Sequence, residues 1–192
     1  MKKIIVFIVI VIVLGLAGFV YYRYFGGGRT QSFVSSDNNT INTSTTPMTI
    51  TSTAFAEGQP IPKKYSCDGD GVNPPLEFKD VPAQAKTLAL VVEDPDAPTG
   101  TWTHWLVWNI DSRATTIAEN SVPAGAVQGQ TSSGQNNYGG PCPPSGTHRY
   151  FFRLYALDSK LIIPSFSDAV VFRQAIDGRT IREAELMGSY SR

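Results

Sequence analysis

From residue 48 onward the apolar positions recur at the short spacings of strands far more often than at the spacing of a helix. Met48 to Ala54 alternates with period two and predicts a first strand. Thr87-Leu-Ala-Leu-Val-Val92 is apolar on both parities, the pattern of a strand covered on both faces. Thr101 to Ile110 predicts another strand, with Trp102, His104, Leu106 and Trp108 on one face by parity. Tyr150-Phe-Phe-Arg-Leu-Tyr-Ala-Leu157 is an aromatic and aliphatic run suited to a buried strand. Ala184, Leu186, Gly188 and Tyr190 repeat at period two and predict a terminal strand. One segment breaks the pattern: Ser167 is placed to cap a short helix over Asp168–Ile176, with Gly178 as its stop. Turn residues dominate 57–62 and 65–75, and 114–138 predicts loops with short strands. The pattern specifies a β-dominated domain.

Ahead of that domain, Ile4 to Tyr22 is apolar throughout, preceded by Lys2 and Lys3 and ended by Arg23. As a helix it would span roughly 28 Å at ~1.5 Å per residue, close to the ~30 Å hydrocarbon core of a bilayer. The expectation is an uncleaved membrane anchor over 1–25, single-pass in the cell membrane, with the domain on the extracytoplasmic side. A cleaved signal peptide is the rival reading, against which no Ala-x-Ala site follows. Gly26 to Pro47 contains nine Ser or Thr, three Asn and three Gly among 22 residues, and predicts a flexible linker. The domain is then assigned to 48–192.

Composition narrows the chemistry. Sixteen basic and sixteen acidic residues cancel, and the basic ones are scattered, which argues against a nucleic-acid partner. Asp68, Asp70 and Asn73 suggest a calcium loop, but Asn73 stands where that loop needs Gly and Lys79 where it needs Glu. The chain has two histidines, His104 and His148, and two cysteines, Cys67 and Cys142. His148 ends the stretch Gly139-Gly-Pro-Cys-Pro-Pro-Ser-Gly-Thr-His148, a loop stiffened by three prolines. His148 and Tyr150 share a face by parity. Cys142 with His148 could serve as nucleophile and base of a hydrolase, and a His/Asp set could hold a metal. Against the first, no helix N-terminus stands beside Cys142 to lower its pKa.

Five spaced motifs stand in order: Tyr65-Ser-Cys-Asp-Gly69 with Pro74-Pro-Leu76, Asp94-Pro-Asp-Ala-Pro-x-Gly100, Thr103-His-Trp105, Gly140-Pro-Cys-Pro-Pro-x-Gly-x-His-Arg-Tyr150, and Glu185-Leu-Met-Gly-x-Tyr190. Together they resemble the phosphatidylethanolamine-binding protein family, in its bacterial and archaeal Raf-kinase-inhibitor-like branch, over essentially all of 48–192. The resemblance implies an antiparallel β-sandwich with one or two short peripheral helices, a non-catalytic binding module and no cofactor. It implies a small anion pocket for phosphate or for the phosphorylated head group of a lipid or small molecule, lined by Asp94, Asp96, His104, Gly140, Pro143, His148 and Tyr150. Imidazole N–H groups, the Tyr150 hydroxyl and loop amides would then donate to the anion. Asp94 would orient an imidazole or meet an ammonium, and Arg149 would face away in an ion pair. The resemblance also admits a kinase or protease as a modulated target. For Cys67 and Cys142 it leaves two states open, a disulfide or two buried thiols.

Overall fold

The structure is a computed structural model that describes residues 46–192. Its strands are β1 (Thr49–Thr51), β2 (Leu76–Lys79), β3 (Thr87–Asp94), β4 (Trp102–Asp111), β5 (Thr116–Ile117), β6 (Val127–Gln128), β7 (Thr147–Leu157) and β8 (Thr180–Ser191); the helix α1 (Ala169–Ile176) lies between β7 and β8. Two antiparallel sheets form, a small one in the order β1-β2-β5 and a large one in the order β6-β4-β3-β7-β8.

The parity of β3 and β7 organises the layers. Leu88, Leu90 and Val92 of β3, with Tyr150, Phe152, Leu154 and Ala156 of β7, face the small sheet and pack on Ile50, Leu76, Phe78 and Ile117. Ala89 and Val91 point the other way, where Leu106, Trp108 and Leu157 meet Phe172 and Ile176 of α1. Both faces of β3 are thus covered, which is why its sequence carries no polar phase. Asp168 caps α1, its side chain accepting from the Val170 and Val171 amides. At the end of β3 the buried Glu93 follows the outer parity and meets Arg173 of α1 and Arg153 of β7. The next residue, Asp94, follows the inner parity and turns toward the opposite side.

Several expectations are corrected. β4 does not keep one parity: Val92 pairs with Trp105 but Glu93 pairs with Thr103, so His104 is an extra residue in a β-bulge. Leu106 and Trp108 face α1, whereas His104 is turned to the inner face, edge-on to the Tyr150 ring at 5.2 Å. The first strand is shorter than Met48–Ala54, and β2 was not anticipated. The fold expectation loses its membrane-spanning helix: among the described residues no helix is long and apolar enough to cross a membrane. The segment 4–22, on which the anchor and the cell-membrane location rested, lies outside the described residues. What stands is a mostly β fold with one α-helix.

Candidate functional site

At the end of the inner face, where β3 runs out and β4 and β7 begin, lies a cavity of about 380 Å³. Asp94 comes from the end of β3, His104 from the bulge of β4 and His148 from the start of β7, so three adjacent strands of one sheet supply the polar wall. Trp102, Pro98 and Pro144 give apolar walls, and Gly139 and Gly140 close the side opposite β3.

Each imidazole is pinned through Nδ1. His148 Nδ1–H donates to Asp94 Oδ2 at 2.7 Å, with the two side chains only 10 % and 4 % exposed, so water screens this pair little. The other Asp94 oxygen accepts the Asp96 amide at 2.8 Å. Asp94 is therefore spent on orientation, one oxygen on a ring and the other on the turn that follows β3. His104 grips Gly139 twice: its ring Nδ1–H donates to the Gly139 carbonyl at 2.8 Å, and its own carbonyl accepts the Gly139 amide at 2.7 Å. A carbonyl only accepts, so the Nδ1 proton on His104 is fixed by this partner. Burial lowers the His104 pKa below the usual imidazole value, against the raising influence of the Gly139 carbonyl and Asp94. Among the described residues neither Nε2 atom has a hydrogen-bond partner.

The loop carrying Gly139 and Gly140 is held from outside. Cys67 and Cys142 form a disulfide with Cα atoms 5.4 Å apart, and the Cys67 amide donates to the Pro141 carbonyl at 3.1 Å. Tyr138 reaches the Tyr65 carbonyl through its hydroxyl at 3.1 Å. A Cβ on Gly140 would stand 2.7 Å from backbone atoms of Tyr65 and Ser66, so only glycine permits this approach. At the far end Gly146 and Arg192 exchange backbone hydrogen bonds at 3.2 Å. The 131–133 segment is pinned to β4 by Ser132, which donates to the Thr103 carbonyl and accepts the Thr103 amide through its hydroxyl.

Of the seven residues expected to line a pocket, Asp94, His104, Gly140 and His148 do so. Tyr150 stands behind the wall, its hydroxyl fully buried and without a hydrogen-bond partner among the described residues. Burial, reinforced by the Asp94 charge, pushes that phenol well above its ordinary pKa. Asp96 does not line the cavity; Arg149 clamps both its oxygens, at 2.9 and 2.7 Å, and lowers its pKa to about 2. Pro143 is buried away from the cavity, and Pro144 takes the rim position. Thr131 and Ser133 also line the wall and carried no recognisable sequence signal, since small polar residues in a loop have no period to betray them. The hydrolase alternative loses its nucleophile, because Cys142 is bonded to Cys67. Among the described residues no group of three His, Cys, Asp or Glu side chains is arranged to hold a metal.

Known proteins resemble this chain in sequence and in fold. The family profile described as phosphatidylethanolamine-binding protein matches residues 51–191. A UPF0098 protein of Methanothermobacter thermautotrophicus is 45 % identical over 150 residues, covering 76 % of this chain and 99 % of that protein. A crystal structure of a putative phosphatidylethanolamine-binding protein homologue of Chlamydia trachomatis superposes with a TM-score of 0.73 at 46 % identity, over 76 % of this chain and 98 % of the other. Escherichia coli YbcL, described as a new member of the mammalian PEBP family, also gives a TM-score of 0.73, at 30 % identity over 77 % of this chain and 99 % of that one.

Proposed function

The chain belongs to the phosphatidylethanolamine-binding protein family, and we propose that it acts as a non-catalytic binding module whose Asp94–His104–His148 cavity takes a small phosphate-type anion, free or as a phosphorylated head group. The observation that carries this reading is the pair of buried imidazoles, the only two in the chain, each pinned through Nδ1 and both on the wall of one cavity. Orienting two rings this firmly costs side-chain entropy and desolvation that packing alone does not require. The volume, about 380 Å³, is at the small end of ligand sites and suits a head group rather than a whole lipid. Asp94 keeps its negative charge while both its oxygens accept hydrogen bonds, so the anion is expected at the Nε2 edges of the two rings rather than at the carboxylate.

No described surface carries an observation that selects a kinase or protease target, so the proposal stops at the small ligand. The test is a titration of the full chain with inorganic phosphate and with phosphoethanolamine, following the imidazole resonances. With only two histidines to assign, both signals shift in a saturable way on the proposed reading. If neither moves, there is no anion pocket here.

A further inference from the structure

We infer that this cavity binds its anion together with a proton, held between the anion and the Nε2 atom of His104 or His148, so that a fully deprotonated anion meets a ring only by drawing a proton onto it. The inference rests on the anion reading of the same cavity and concerns the chemical form in which the ligand is taken.

A neutral imidazole has one N–H donor and one lone pair. On His104 the donor is consumed by the Gly139 carbonyl, and on His148 by the Asp94 carboxylate. In the neutral state each ring therefore offers the cavity an acceptor at Nε2. Asp94, with both oxygens engaged, offers no donor either. The Thr131 and Ser133 hydroxyls of the same wall are taken up by the Gln135 carbonyl and by each other, and the two rings, expected from sequence to donate, present lone pairs at Nε2 until a proton arrives. Two sources can supply it: the ring becomes imidazolium, or the ligand brings its own P–O–H.

The surroundings make this exchange possible. His104 is faced by Asp94 of β3, by His148 and Tyr150 of β7, and by the Gly139 and Gly140 carbonyls of the loop. His148 is faced by Asp94 and Asp96 on the β3 side and by His104 on β4. Opposite it on β8, Tyr190 spends its hydroxyl on Asp68. Arg149, the nearest cation in sequence, is committed to Asp96. Burial opposes a charge on His104 in the empty cavity, and an anion at Nε2 reverses that balance. The sign follows: the bound state holds more protons than the free state, so affinity rises as pH falls.

The test compares two probes by calorimetry on the full chain between pH 6.5 and 8.5. Sulfate carries no proton in this range, whereas methyl phosphate, a monoester with a second pKa of about 6, exists partly as the monoanion at the lower end. Sulfate affinity is expected to fall about tenfold per pH unit for each proton taken up. Repeating the titration in buffers of different ionisation enthalpy should show at least one proton absorbed per sulfate bound. Imidazole nitrogen shifts at saturation would show one ring converted to imidazolium. Should sulfate bind weakly at every pH while methyl phosphate binds in step with its monoanion, the proton comes from the ligand and the inference holds. Sulfate binding with constant affinity and no proton uptake overturns it and leaves the anion pocket intact. If neither probe binds at any pH, the pocket reading itself fails, and this inference with it.

Discussion

Gly139 and Gly140 are neighbours in sequence, yet the structure predicts opposite outcomes for the same substitution. A Cβ added to Gly140 would stand 2.7 Å from the Ser66 carbonyl carbon and the Tyr65 carbonyl oxygen, and 2.9 Å from Ser66 Cα. These are backbone atoms of a segment tied back to the loop by the Cys67–Cys142 bond, so no side chain can swing aside. Overpacking of this kind costs about 1–3 kcal/mol. Parting the two segments also loses the Cys67–Pro141 hydrogen bond, about 1 kcal/mol. The lower chain entropy of unfolded alanine offsets about 0.4–1 kcal/mol. Gly140→Ala should therefore destabilise the domain by about 1–3.5 kcal/mol. At Gly139 the added Cβ would meet only the His104 carbonyl oxygen at 3.5 Å and its Nδ1 at 3.9 Å, ordinary contact distances. Gly139→Ala should be within about 0.5 kcal/mol of the parent. Urea unfolding of the full chain followed by near-ultraviolet circular dichroism reports both values, and the His104 resonances report whether its ring has moved. Equal stability for the two variants would mean that the loop and the 65–67 segment are not held as closely as the structure has them.

Three further outcomes are expected. Tyr150→Phe removes a buried hydroxyl that lacks a partner, so the empty protein should be unchanged or more stable by up to about 1–2 kcal/mol in thermal unfolding; a clear loss would mean that the hydroxyl is bonded in the free protein. Asp96 has its pKa lowered to about 2, chiefly by Arg149, so its contribution is present above about pH 4 and lost as pH falls through about 2. Because Arg149 is half exposed, Asp96→Asn should cost no more than about 1 kcal/mol at pH 7 and clearly less at pH 2, and a difference growing toward acid would contradict the ion pair. Reducing the Cys67–Cys142 bond, whose cysteines lie 75 residues apart, should cost ~4.5 kcal/mol on chain-entropy grounds. Unfolding curves that coincide with and without reductant would show that the bond does not constrain the unfolded chain.

The legible parts of this molecule are those where a single pattern dictates the answer. β3 was readable because burial on both faces leaves almost no polar phase, β7 because aromatic and aliphatic residues dominate it although only one face is fully buried, and α1 because a short period and a glycine stop coincide, although Asp168 rather than Ser167 caps it. The cavity was readable through its chemistry-bearing residues, since Asp94, His104, Gly140 and His148 line it together although they come from distant segments. The orientation of His104 was not readable. Parity assigned it to the face of Leu106 and Trp108, and a bulge, which adds a residue without leaving a mark in the hydrophobic pattern, turned it inward. Asp96 was equally opaque, because it is two residues from Asp94 and only the placement of Arg149 in space draws it away from the cavity. The expectation of free imidazole donors failed for a related reason. Composition counts N–H groups, and only the fold reveals that both are already taken.

The most direct measurement is a crystal structure of the protein grown or soaked with phosphate at pH 6. A tetrahedral anion is expected in the cavity, with oxygens about 2.7–3.0 Å from Nε2 of His104 and of His148. Both Nδ1 contacts, to Gly139 and to Asp94, should be unchanged. An empty cavity under those conditions, or an anion bound elsewhere while both Nε2 atoms stay without a partner, would contradict the anion reading of the cavity.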